Sequence, residues 1–239
     1  QTLIDQGLYD RCRFHLSDEP NDGCIESYKA VWALFKKYMP DAPVTDALSH
    51  YDFYKMGLVD VAVCSTKAID TFLENGVGNL FAYYCCAESG DMLSNRFMSY
   101  TSLRNRVIGI QLYLNKISGF LHWGYNFYNN MHSVNTINPY ADVSGEYWVP
   151  AGDPFSVYPA EDGTAYESTR IIVFHEALED CRAMKLAESF WGKERVISEI
   201  EAVFGKEIKF SRCAKSADTM LAVRAKVDEL IAEAVANQQ

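Results

Sequence analysis

The sequence predicts an α/β fold built on parallel strands, and three observations carry that reading. Short β-prone runs alternate with helical stretches along the chain. Hydrophobic residues make up 49% of the 239 residues and charged residues 23%, enough for a substantial core in one large domain or two small ones. No repeat, low-complexity tract or clear linker interrupts the pattern. The first run is 12–16, where Cys12, Phe14 and Leu16 recur in period two. A helix is predicted over Ile25–Tyr38 from the stripe Ile25, Tyr28, Val31, Leu34 and Phe35. Runs at 43–49 and 59–65 follow, separated by a turn at 52–57. Residues 69–73 read as a short helix closed by Asn75-Gly76, and 79–86 as a β-prone run rich in aromatics. A helix is predicted over 96–117, a strand over 119–125 and an irregular segment over 129–167.

Two or three helices finish the chain. One, Thr169–Trp191, carries Leu178, Cys181, Arg182, Lys185, Leu186 and Phe190 at helical spacing. Another, 216–235, places Met220, Val223, Val227, Leu230 and Ala234 three and four apart, which marks a packing face. About five strands result, whereas a (β/α)8 barrel has eight. The pattern therefore fits an open sheet, or the back half of a barrel whose first units are absent. The (β/α) body is placed at 1–192 and a helical extension at 193–239.

The net charge is −10, which disfavours nucleic acid and anionic membrane as partners, since both need a basic face. A neutral or cationic substrate suits it better. No run of eighteen apolar residues and no basic-then-apolar leader is visible, although the chain opens on Gln1 rather than Met. Seven cysteines without a CxxC pair, several of them in apolar runs, read as mostly reduced structural thiols. That usage leans towards the cytoplasm.

Asp18-Glu19-Pro20 follows directly on the first run. The carboxyl end of a strand is where catalytic groups collect in α/β folds. Two carboxylates there divide labour when one stays ionised and the other holds a proton to donate. Both reach one site only if the strand ends in a turn, which Pro20 favours. The same residues also fit a helix N-terminus, with Ser17 or Asp18 as its cap. Between Phe120 and Tyr166 lie eleven aromatics with Asn126, Asn129, Asn130 and Asn138 interspersed. Flat apolar rings beside amides suit sugars, and an aromatic core beneath a long loop suits them equally; the density in an irregular segment favours a binding surface. The five histidines show neither HxxxH nor HExxH spacing, so no metal is implied. Gly76-Val77-Gly78 lacks the third glycine of a phosphate loop, no GxSxG elbow occurs, and no cofactor is called for.

Three segments complete the reading. They are Phe14-His15-Leu16-Ser17-Asp18-Glu19-Pro20, then Gly119-Phe120-Leu121-His122-Trp123-Gly124-Tyr125-Asn126, then Gly152-Asp153-Pro154-Phe155-Ser156-Val157-Tyr158-Pro159 with Ser168-Thr169-Arg170 and Glu179-Asp180 behind it. In this order and spacing they resemble the family 123 glycoside hydrolases, the β-N-acetylgalactosaminidase family, over roughly residues 3–191. The resemblance implies a (β/α)8 TIM barrel. In the family the acid pair ends about the fourth strand, whereas only about ten residues precede the first run here. The chain would then hold about the last five strand-helix units plus C-terminal helices, an incomplete barrel that another chain or a preceding segment completes.

The resemblance also implies hydrolysis of β-linked N-acetylhexosaminides, N-acetylgalactosamine favoured, in an oligosaccharide or glycoconjugate. The mechanism would be retaining, with the substrate's own acetamido oxygen as nucleophile. Carried over by position, Glu19 is the general acid and then the base, Asp18 orients the acetamido N–H, and Trp123 supplies a stacking wall. Asn126, Asp153, Tyr158 and Arg170 are sugar-hydroxyl or supporting groups, with Arg170 equally readable as an ion-pair partner of Glu179 or Asp180. A carbohydrate-binding or scaffold barrel without turnover, and an unrelated interaction domain in which the pair is only a cap, are the rival readings. Retention of both acids favours the enzyme.

Overall fold

The computed structural model describes residues 1–90, 93–205, 208–211 and 216–238. It divides into two compact units, Gln1–Tyr83 with Ile117–Leu121, and Tyr84–Lys116 with His122–Gln239. The first unit is organised by a sheet whose strands run in sequence order. They are β1 (Thr45–Leu48), β2 (Val61–Ser65), β3 (Phe81–Tyr83) and β4 (Gly119–Leu121), all parallel. Every residue of β2 is buried, the unbroken apolar run expected of a parallel strand covered on both faces. The same unit contains α1 (Thr2–Asp5), α2 (Ile25–Tyr38), α3 (Asp52–Lys55) and α4 (Ile69–Glu74).

The mixed α/β class with a parallel sheet follows the sequence prediction, but the first run differs from it. Of residues 12–16 only Phe14 pairs, as an isolated parallel bridge to Val44. The ladder stops there because the next two free N–H groups, of Leu16 and Ser17, are taken by the side chain of Asp46. The sheet thus has four strands and one bridged residue, where about five strands were predicted. Helix α2 has the predicted bounds, yet its stripe is only partly inward. Tyr28 is buried, Phe35 packs its ring 5.5 Å from that of Phe14, and Val31 and Leu34 remain 48% and 59% exposed.

In the second unit the described helices are α5 (Leu103–Arg106), α6 (Ile108–Leu114), α7 (Thr169–Trp191), α8 (Lys193–Phe204) and α9 (Ala217–Ala236). A two-stranded antiparallel ribbon, β5 (Val157–Pro159) with β6 (Ala165–Glu167), lies within the segment read as irregular. Helices α6 to α9 share one apolar core. Met220, Val223, Val227 and Leu230 of α9, which the spacing singled out, meet Val196 and Ile200 of α8, Met184 and Ala187 of α7, and Ile110 of α6. Gly109 lets α6 lie against α7: a Cβ there would stand 1.9 Å from the Ala177 carbonyl oxygen.

The helix predicted over 96–117 begins only at Leu103. Upstream, the Asn95 amide donates to the carbonyls of Cys85 and Glu88, and Arg96 turns inward, so side-chain bonds replace the helical ladder. None of the six cysteines among the described residues is in a disulfide; Cys213 lies outside them. Parts of the proposed 193–239 extension, 206–207 and 212–215, also lie outside the described residues. No helix among the described residues is long and apolar enough to cross a membrane.

Candidate active site

The acid pair lies in the first unit, on the bend that follows Phe14. Glu19 sits at φ +44°, a left-handed conformation that a non-glycine residue adopts at an energy of about 1–3 kcal/mol. Pro20, buried immediately behind it, blocks a return to regular structure. The pair is not a helix cap. Asn21 takes that role, its side chain accepting from Gly23 N at 3.0 Å at the start of the turn Asp22–Cys24. Asp18 projects into solvent with its side chain 87% exposed. Glu19 Oε1 accepts a hydrogen bond from the hydroxyl of Tyr83, the last residue of β3. The bend therefore stands at the carboxyl end of the parallel sheet, where side chains from successive strands converge.

Asp46, the second residue of β1, holds this bend from below. It is completely buried, and its Oδ1 accepts from Leu16 N at 2.9 Å and Ser17 N at 3.2 Å. His15 Nδ1 stands 2.9 Å from the same oxygen, and its Nε2 lies 4.0 Å from Asp18. Oδ2 accepts from the Tyr28 hydroxyl of α2. Burial pushes the Asp46 carboxyl above the usual carboxylate range, against the pull of the hydrogen bonds from Tyr28, Ser17 and Leu16. Burial likewise raises the Tyr28 phenol, with Asp46 adding to the effect. A fully buried acid needs such a set of partners to be tolerated.

The second unit contains the other five candidates. Trp123 donates its indole N–H to Asp153 Oδ2 at 3.0 Å, and its ring packs edge-on with Phe127 and Trp148, 5.3 and 5.4 Å between centroids. Asp153, which accepts this bond, is fully buried. Beside it, His122 Nδ1 accepts from Gly124 N at 3.0 Å and lies 2.6 Å from Arg96 Nη2. Its Nε2, which then carries the proton, stands 3.3 Å from Asp153 Oδ1, close enough for attraction but not aligned as a hydrogen bond. Burial lowers the His122 pKa from 6.5 to about 4, opposed by Asp153 and reinforced by the Arg96 charge.

Asn126, Tyr158 and Arg170 converge on buried Phe155. Asn126 bridges its backbone, Tyr158 packs edge-on at 5.3 Å, and Arg170 Nη2 donates to its carbonyl at 2.8 Å. Arg170 does not hold the acids beside which it was read. Asp180 is bound by Arg106 at 2.7 Å and Arg224 at 3.2 Å, and Glu179 is paired with Arg182. The aromatic-rich segment is partly buried and partly exposed. Phe155, Tyr128 and Tyr158 pack together, whereas Tyr125, Tyr147 and Trp148 are 53%, 98% and 39% exposed. No group of three or more metal-ligating side chains occurs among the described residues.

The model of the glycoside hydrolase 123 catalytic domain matches residues 1–187. The chain belongs to glycoside hydrolase family 123. Among solved structures, this family 123 chain is similar to a family 123 glycoside hydrolase from Clostridium perfringens, studied for its glycolipid glycan hydrolysis. The two share 18% identity and a TM-score of 0.62, over 98% of this chain and 42% of that one. The likeness at that identity is one of fold, and the chain spans less than half the length of its neighbour. No curated protein matches the sequence.

Four groups around the candidate residues of this family 123 chain were not singled out in the sequence: Asp46, Tyr28, Tyr83 and Arg96. A signal existed for Asp46, an acid between Val44 and Ala47-Leu48 in a predicted strand. A charge in such a run must be buried and bonded, although the sequence does not say to what. Nothing local distinguishes Tyr83 from the aromatics beside it.

Proposed function

We propose that the chain carries the acid pair of a retaining β-N-acetylhexosaminidase, with N-acetylgalactosamine the favoured sugar. The observation that carries this reading is the strained bend at the carboxyl end of the sheet. It presents two adjacent carboxylates, one largely exposed to solvent and one tethered through Tyr83, and leaves the helix-capping role to Asn21. The substrate's acetamido oxygen attacks the anomeric carbon and closes an oxazoline-type ring as the glycosidic bond breaks. Glu19 gives its proton to the departing oxygen, and Asp18 accepts the acetamido N–H and steadies the charge that develops there. Glu19 then takes a proton from water, which opens the ring with overall retention. Trp123, Phe127 and Trp148 offer a ring surface on which a sugar face stacks.

The substrate is an oligosaccharide or glycoconjugate. Family membership supports that class, and the Clostridium perfringens neighbour makes glycolipid glycans a natural first panel. In this reading the parallel sheet belongs to an incomplete (β/α)8 barrel, the partial barrel at 1–192 and a helical extension at 193–239. The test is Asp18→Asn, assayed with an activated aryl glycoside and with a poor leaving group. Orientation of the amide matters whatever departs, so both rates should fall, by about 3 kcal/mol in the barrier. Unchanged rates with both substrates would refute the assignment.

A further inference from the structure

We propose that Asp46 is the positioning residue of the acid pair: its buried carboxylate fixes the backbone of the bend through Leu16 and Ser17, and Tyr28 braces that carboxylate from the opposite side. The inference rests on the reading of Asp18 and Glu19 as the reacting pair, and goes beyond it by naming what sets their place.

The bend needs an external support. The chain pairs with the sheet only at Phe14, and four residues later Asp18 is largely in solvent. Between them the Leu16 and Ser17 N–H groups point at one oxygen of Asp46, at 2.9 and 3.2 Å, with His15 2.9 Å from the same atom. The support is rigid because Asp46 belongs to β1, in register with Ala62 of the wholly buried β2. Its second oxygen is claimed by Tyr28, whose ring packs edge-on with Phe53 at 5.1 Å. One oxygen of the carboxylate therefore ties β1 to the segment that ends in the acid pair, and the other ties β1 to α2. Asp46 lies beneath the bend with no exposed surface, so it acts on the reaction only through the groups it holds. Positioning to within a fraction of an ångström is what such a support supplies, since displacing reacting groups by about 1 Å lowers rates on the order of 100-fold.

Three variants of the full-length protein test this: Asp46→Ala, Asp46→Asn and Tyr28→Phe, each assayed with an activated and a poor leaving group. Asp46→Ala should lower the rate on the order of 100-fold with the poor leaving group and less with the activated one, because a displaced Glu19 no longer protonates. A variant that has merely lost folded protein loses the same fraction of its rate with every substrate. Asp46→Asn keeps an oxygen for the two backbone N–H groups and should recover much of the loss. Tyr28→Phe keeps the ring and removes only the brace. It should fold normally and show the same leaving-group bias at smaller amplitude, which keeps the test informative should Asp46→Ala fail to fold. Folded Asp46→Ala or Tyr28→Phe with wild-type rates, or losses equal for both substrates, would overturn the proposal. If instead Asp18→Asn and Glu19→Gln also turn over normally, the underlying functional reading fails and not the support alone.

Discussion

Replacing Glu19 by Gln is expected to abolish cleavage of substrates with poor leaving groups and to slow activated aryl glycosides less. General acid catalysis contributes roughly 100- to 10,000-fold where the departing oxygen must be protonated, and little where the leaving group is already a stable anion. Gln keeps the size of the side chain and an oxygen able to accept from Tyr83, so the bend should stay in place and the loss should be chemical. The measurement is kcat for wild type and variant on a series of leaving groups of graded acidity. A steeper dependence in the variant marks the lost proton donor. Equal, small losses along the series would remove Glu19 from that role.

The second large effect is on stability at acid pH, and it arises in the other unit. An unfolded histidine takes up a proton near pH 6.5, whereas buried His122 does so only at about 4. Between those values the unfolded chain binds more protons than the folded one, so stability falls as the pH falls through that window. Above pH 6.5 the neutral ring is favoured in both states and nothing is lost. The gap corresponds to roughly 3 kcal/mol by pH 4. Protonating Nδ1 would also break its bond from Gly124 N and set two cations, His122 and Arg96, against each other. Denaturant unfolding of wild type and His122→Asn at pH 7 and pH 4.5 isolates this group from the carboxylates that titrate alongside it. Wild type should lose more stability than the variant over that interval; parallel losses would contradict the account.

The sequence was most informative where a local pattern decides the structure. The bounds of Ile25–Tyr38 and Thr169–Trp191 came from helical spacing, and the face Met220, Val223, Val227, Leu230 and Ala234 is the buried face of α9. Local reading failed where a distant partner decides. The period-two run at 12–16 does not form a strand, because Asp46, some thirty positions away, takes the N–H groups that would continue the ladder. The start of the predicted 96–117 helix is lost to Cys85, Glu88, His122 and Gly124, none of them within a helical turn of it. The acid pair was legible as Asp-Glu-Pro after a β-prone run. What sets it in place was not, since Asp46 and Tyr83 come from other strands and Tyr28 acts through Asp46 from α2.

Binding of an N-acetylgalactosamine-derived thiazoline tests the central claim most directly, because that compound mimics the ring formed when the acetamido oxygen attacks. Affinity is to be measured for wild type and for Asp18→Asn. The account predicts that wild type binds the thiazoline at least 100-fold more tightly than N-acetylgalactosamine, as enzymes do with transition-state-like ligands. It also predicts that Asp18→Asn loses most of that advantage, on the order of 100-fold, with the contact to the ring nitrogen. A thiazoline bound no better than the parent sugar, or bound equally by both proteins, would contradict it.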